Sequence, residues 1–206
     1  LSLHDALPIW IWQELARGLV ASKPMHMFQL LLDTGAAKFL LPSTLTAKLA
    51  EGPFREALIE HSEVSGNSLE ERCAIVLMDL SASEIRTWAE CVRMPIEVRD
   101  FCEIMSELRV LVQKMAHTPY QAVDILAWFN RADVWRKPDR GQALLNLAGK
   151  IGFKVSVLVV AMRNAQALNT AEIIAGVEAQ DRSNGESIGS AFEAARLAAI
   201  TVALQS

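Results

Sequence analysis

Apolar residues recur at three-and-four spacing along almost the whole chain, a pattern that predicts helix after helix. Trp10 to Val20 reads as one amphipathic helix. Pro24 to Leu32 reads as a second, with its proline in the first turn, where a missing donor costs little. Together they predict a helical hairpin. Thr34-Gly35 breaks the pattern before Ala36 to Leu41, and Pro42-Ser43 starts a further short helix. Ser65-Gly66-Asn67-Ser68 reads as a loop whose last serine caps a helix over Leu69 to Leu80. Ser83 to Val92, Pro95 to Met115 and Pro119 to Arg131 follow, each begun by serine or proline and carrying an apolar stripe. Pro138 opens a helix to about Lys150, with Val155 to Leu168 and Thr170 to Val177 after it. Gly176, Gly185 and Gly189 mark the turn into a last helix ending near Leu204. The expected fold is all-α, an irregular helical array with no sheet.

Composition narrows this picture. The 206 residues are 51% hydrophobic and 21% charged, enough to bury one or two small cores. A formal net charge of -4 gives the whole molecule no general attraction for nucleic acid, so any such binding must come from a local patch. The charge is uneven. Glu51 to Glu107 holds thirteen acidic residues against five basic ones, whereas Arg131 to Lys154 holds six basic residues against Asp133 and Asp139. Cys73, Cys91 and Cys102 lack the paired spacing of a zinc site and sit among apolar helical neighbours, which predicts buried, reduced thiols and a cytoplasmic home. Apolar windows such as Val155 to Met162 are far short of a membrane span, and no membrane partner is expected.

Leu1 to Ile9, LSLHDALPI, looks like the translation of a sequencing-adapter oligonucleotide fused in frame, which excludes it from fold reasoning and makes His4 a poor ligand candidate. The competing reading is a natural helix entry with Asp5 or Pro8 as its start signal.

Three stretches carry a resemblance. The first is Trp12-Gln13-Glu14-Leu15-Ala16-Arg17-Gly18-Leu19, followed by Pro24, Met27-Phe28, Leu31-Leu32, Thr34-Gly35-Ala36 and Leu41-Pro42. The second runs from Met94-Pro95-Ile96-Glu97-Val98-Arg99-Asp100-Phe101 to Asp133-Val134-Trp135-Arg136-Lys137-Pro138-Asp139-Arg140. The third is Gly185, Ile188-Gly189, Arg196 and Ala199-Ile200. They resemble the neck, body and tail of bacterial CCA-adding tRNA nucleotidyltransferases of the proteobacterial type. Bacterial poly(A) polymerase shares the head and neck of that family, but the Trp135 to Pro138 segment and the tail favour the CCA-adding branch. The resemblance implies residues 10–50 as a neck-to-body hairpin, 51–154 as a helical body with a degenerate HD-like region over 68–131, and 155–206 as a helical tail.

The resemblance also implies chemistry that this sequence does not carry. The family's head adds CCA to the tRNA 3′ end from CTP and ATP, with Mg²⁺ held by an Asp-x-Asp pair on a sheet. No Asp-x-Asp occurs here, so the chain is expected to lack the head, to be inactive alone and to hold no cofactor or catalytic residue. Many relatives carry an HD phosphohydrolase site in the body. Here Met78 precedes Asp79 where a paired histidine would stand, and Ser81-Ala82 replaces the usual Gly-Lys. His26, His61 and His117 stand alone, so no metal site is expected, and Asp79 reads as a hydrogen-bonded or helix-end aspartate.

What remains is a surface for tRNA, read by shape through phosphates and 2′-hydroxyls. The candidates are Arg136, Lys137 and Arg140 around a helix start whose free amides could accept a phosphate. Arg17, Lys23, Lys150, Lys154 and Arg196 come behind them. A solvated helix corner explains the first three equally well. Trp128 and Trp135 read as core. The competing functions are a degenerate HD-type metal-dependent phosphohydrolase and a helical protein-interaction scaffold, and a homodimer of the parent stays open.

Overall fold

The computed structural model describes residues 3–52, 56, 67–177 and 185–205. Among them are twelve helices and no strand, the all-α array that the periodicity predicts. The chain divides into two units, Leu1–Val110 and Leu111–Ser206.

In the first unit, α1 (Leu3–Val20) and α2 (Pro24–Asp33) pack as a hairpin, followed by α3 (Ala37–Leu40), α4 (Ser43–Ala50), α5 (Leu69–Leu77), α6 (Ala82–Val92) and the start of α7 (Ile96–His117). The apolar stripes meet in a core of Leu45, Leu49, Ile75, Leu77, Leu80, Ile85, Ile104, Met105 and Leu108, each less than 2% exposed. Gly18 lets α1 and α2 approach closely, since a Cβ there would stand 2.1 Å from Met27 Sδ. Polar groups fix how the helices meet. Trp88 Nε1 donates to Leu40 O at 2.9 Å, and buried Arg72 donates to Leu19 O at 3.0 Å and Ala21 O at 3.1 Å, satisfying carbonyls at the end of α1. Glu103, 1% exposed, accepts both Nε and Nη2 of Arg86, at 3.1 and 2.6 Å.

The second unit holds the end of α7, α8 (Ala122–Ala132), α9 (Pro138–Lys150), α10 (Ser156–Gln166), α11 (Thr170–Gly176) and α12 (Gly185–Leu204). The long α12 lies against α10, α8 and α11. Ile125, Phe129, Leu144, Leu147, Leu158 and Ile200 form its core, all fully buried. Gly141 matters to this packing: a Cβ there would come within 2.6 Å of Val134 Cγ1 and 3.1 Å of Met162 Sδ.

Several boundaries shift from the sequence expectation. The helix expected from Ser83 starts at Ala82, because Ser81 is the cap: its Oγ accepts Glu84 N at 3.3 Å while Glu84 Oε2 accepts Ser81 N at 2.9 Å, a reciprocal box that Ser83 cannot form. Ser68 makes the same box with Glu71, as expected, but its helix stops at Leu77 instead of Leu80. Pro119 does not open α8, which begins after Gln121. Gly189 lies inside α12, not in the turn before it. Cys91 is exposed, while Cys73 and Cys102 are buried. Pro8 falls inside α1, so the adapter-like stretch continues the helix from Leu3. Among the described residues one window, Ser187–Leu204, is long and apolar enough to cross a membrane by length and composition, more so than Val155 to Met162. Ser65-Gly66, His61 and the turn over 178–184 lie outside the described residues.

Candidate nucleic-acid interface

The expected RNA-contacting residues are spread over both units. Arg17 and Lys23 are exposed in the first, where Arg17 pairs with Glu14 three residues back. The other six belong to the second, and α9 separates them. Arg136, Lys137 and Arg140 stand at its start. Lys150 ends it and Lys154 follows, about 18 Å along the axis at 1.5 Å per residue.

The start of α9 is built by the end of α8. That helix closes on Asp133 in the left-handed conformation, φ 57°, with Val134 N donating to Phe129 O at 3.2 Å and Asp133 N to Asn130 O at 3.1 Å. Aspartate tolerates this backbone better than most residues. A tight turn then leads into Pro138, with Lys137 N donating to Asp133 O at 2.9 Å. No side chain caps α9, but its first turn offers fewer free amides than the sequence suggests: Pro138 has no N–H and Arg140 N donates to Lys137 O at 3.2 Å, which leaves Asp139 N. The corner is not simply cationic. Arg136 Nε donates to Asp133 Oδ1 at 2.8 Å, and that hydrogen bond is the largest reason the Asp133 carboxyl lies below its ordinary value. Burial opposes the effect, and the charges of Arg136, Lys137 and Arg140 add to it. The same pairing raises the Arg136 guanidinium.

Arg196, from α12, is brought to this corner through Trp135. Its guanidinium carbon lies 4.1 Å from the Trp135 ring centroid and 5.4 Å from that of Phe192. Trp135 is therefore half-buried and a platform, not a core residue as its apolar surroundings suggest; Trp128 is core, 5% exposed. The Trp135 indole is oriented by Nε1 donating to Asn130 Oδ1 at 2.6 Å and by an edge-to-face contact with Phe129. Gln166 Nε2 holds the turn from the other side, donating to Val134 O at 3.1 Å. The result is a cleft of about 350 Å³ lined by Trp135, Pro138, Gln166, Thr170, Phe192 and Arg196. Phe192, Gln166 and the platform role of Trp135 escape sequence reading. The available signal is that Trp135 follows the cap of α8, outside any helix, where an apolar stripe no longer decides burial.

The HD-like region holds no comparable arrangement. Asp79 is taken by Lys48 Nζ at 2.7 Å and by Arg109 at 2.6 Å, the hydrogen-bonded aspartate that the sequence suggests. Met78 beside it is half-buried, and His26 and His117 are exposed. Among the described residues no group of three or more His, Cys, Asp or Glu is placed to hold a metal. A second hollow, about 580 Å³ between α1 and α2, is walled mainly by apolar side chains including Trp10, Ile11, Leu15, Met27 and Leu31.

No protein-family model matches the chain. No solved structure matches it. Curated relatives do. A multifunctional CCA protein of Leptothrix cholodnii is 27% identical over 95% of this chain and 56% of its own length. A CCA-adding enzyme of Marinobacter nauticus is 26% identical over 98% of this chain and 54% of its own. A multifunctional CCA protein of Cupriavidus necator is 28% identical over 95% and 56%. The chain spans little more than half the length of these relatives. Along nearly all of its own length the chain is similar to proteins named for CCA addition, in the proportion that a C-terminal portion of such a protein would show.

Proposed function

We propose that this chain is the tRNA-holding portion of a CCA-adding tRNA nucleotidyltransferase and positions the acceptor and T arms of its substrate. The observation that carries the reading is the match of 95–98% of the chain to part of proteins named for CCA addition. The basic corner at the start of α9 supports it. Arg136 and Lys137 are exposed there, beside a helix start with no side-chain cap. Such a surface grips phosphates and needs no base readout.

In the parent enzyme, the nucleotidyl transfer from CTP and ATP belongs to a head that holds Mg²⁺ on paired carboxylates. The chain described here has no Asp-x-Asp sequence and contributes binding alone. The phosphohydrolase alternative is less favoured, because Asp79 is already committed to two cations. Mobility-shift titration of a tRNA transcript lacking CCA, run beside an incorporation assay with labelled CTP and ATP, tests the proposal. Salt-sensitive binding without incorporation is the expected pair of results. Incorporation by this chain alone, or absence of tRNA binding, overturns it.

A further inference from the structure

Arg196 differs from the other cations of the second unit. It is half-buried, it is stacked on an indole, and among the described residues it makes no hydrogen bond or ion pair. The acid that acts on it electrostatically is Glu193, exposed on the same helix. Burial lowers its pKa, which marks a charge held in the protein without a partner. A guanidinium lying over a ring still has N–H groups directed away from it, and two of these can take two oxygens of an anion at once. The cleft in front of it, about 350 Å³, has room for a phosphate and part of its nucleoside. A carboxylate would fit the fork too. The charges of Arg136, Lys137 and Arg140, which all act on Asp133 two residues from Trp135, favour a ligand carrying successive negative charges.

We infer that the Arg196 cleft seats one backbone phosphate of a bound RNA, gripped by the N–H groups of a guanidinium that Trp135 holds in place, with the adjoining nucleoside covering the Phe192 wall. The inference rests on the tRNA reading above. Trp135 is a positioning residue in it, acting through Arg196.

The test is equilibrium binding of the full chain to a fluorescently labelled tRNA transcript at stepped KCl concentrations. Arg196→Ala should weaken binding about tenfold and lower the log–log salt slope by about 1. Arg196→Lys keeps the charge and the slope but loses the fork and the stack, and should weaken binding about threefold. Trp135→Leu should resemble Arg196→Lys: weaker binding with an unchanged slope. Should Arg196→Ala lose its folded circular-dichroism signal, the lysine variant decides. Wild-type binding with Arg196→Ala or Arg196→Lys indistinguishable from it overturns the phosphate seat and leaves the tRNA reading standing. Failure of the wild-type chain to bind tRNA overturns both.

Discussion

Asp133 ends α8 in the left-handed conformation and accepts a 2.8 Å hydrogen bond from Arg136, so the first acid of the basic corner also shapes it. Its carboxylate opposes the phosphate attraction of the three cations whose charges act on it. Asparagine keeps both the backbone tolerance and an acceptor oxygen while removing the charge. Asp133→Asn should therefore tighten tRNA binding about threefold at moderate salt, with little change in stability. Weaker binding in that titration would mean that the corner does not face RNA.

Arg72 has no substitute for its three acceptors, Leu19 O, Ala21 O and Asn67 O. Arg72→Met fills the volume of the stem but leaves buried carbonyls without donors. Urea unfolding should show a loss of about 3 kcal/mol. A loss under about 0.5 kcal/mol would show that water replaces the guanidinium there.

Two backbone positions give opposite expectations. Arg93 closes α6 at φ 57° with an exposed side chain, so Arg93→Gly relieves a left-handed residue and should stabilise by about 1 kcal/mol. Gly141 faces Val134 Cγ1 too closely for a methyl group, so Gly141→Ala should destabilise by about 1–3 kcal/mol. It should also disturb the neighbouring Trp135, readable as a shift in tryptophan emission.

Glu84 accepts Thr44 Oγ1 at 2.6 Å and Ser81 N at 2.9 Å, and these bonds hold its carboxyl below the ordinary 4.5, that of Thr44 most of all. A depressed folded value means that the contribution is complete above about 4.5 and is lost as pH falls through the lowered value. Thermal unfolding of Glu84→Gln should therefore fall less steeply than wild type between pH 5 and pH 3, on the order of the ordinary carboxylate range. Parallel curves would remove Glu84 from the acid response.

Much of the fold is legible in the sequence because each helix carries its own signals. The Ser68 cap and Pro138 at a helix start are local chemistry, and the structure places them at helix starts. Boundaries slip where two local signals compete, as with Ser81 and Ser83, and only the partner at Glu84 decides. The candidate site is half legible. Arg136, Lys137 and Arg140 are neighbours in the chain and stay so in space. Arg196 joins them from sixty residues away by stacking on Trp135, a tertiary event that no local pattern encodes. Trp135 departs from the core position that its stripe suggests for the same reason: its ring is covered by Arg196 from α12.

Hydroxyl-radical footprinting of a tRNA transcript bound to the full chain is the most direct test of the central claim, because it reads the ribose surface that shape recognition covers. Protection is expected to be confined to the acceptor and T arms, and to be reduced when Arg136 and Lys137 are replaced together by alanine. Protection of the anticodon arm instead, or an unprotected tRNA at saturating protein, would contradict it.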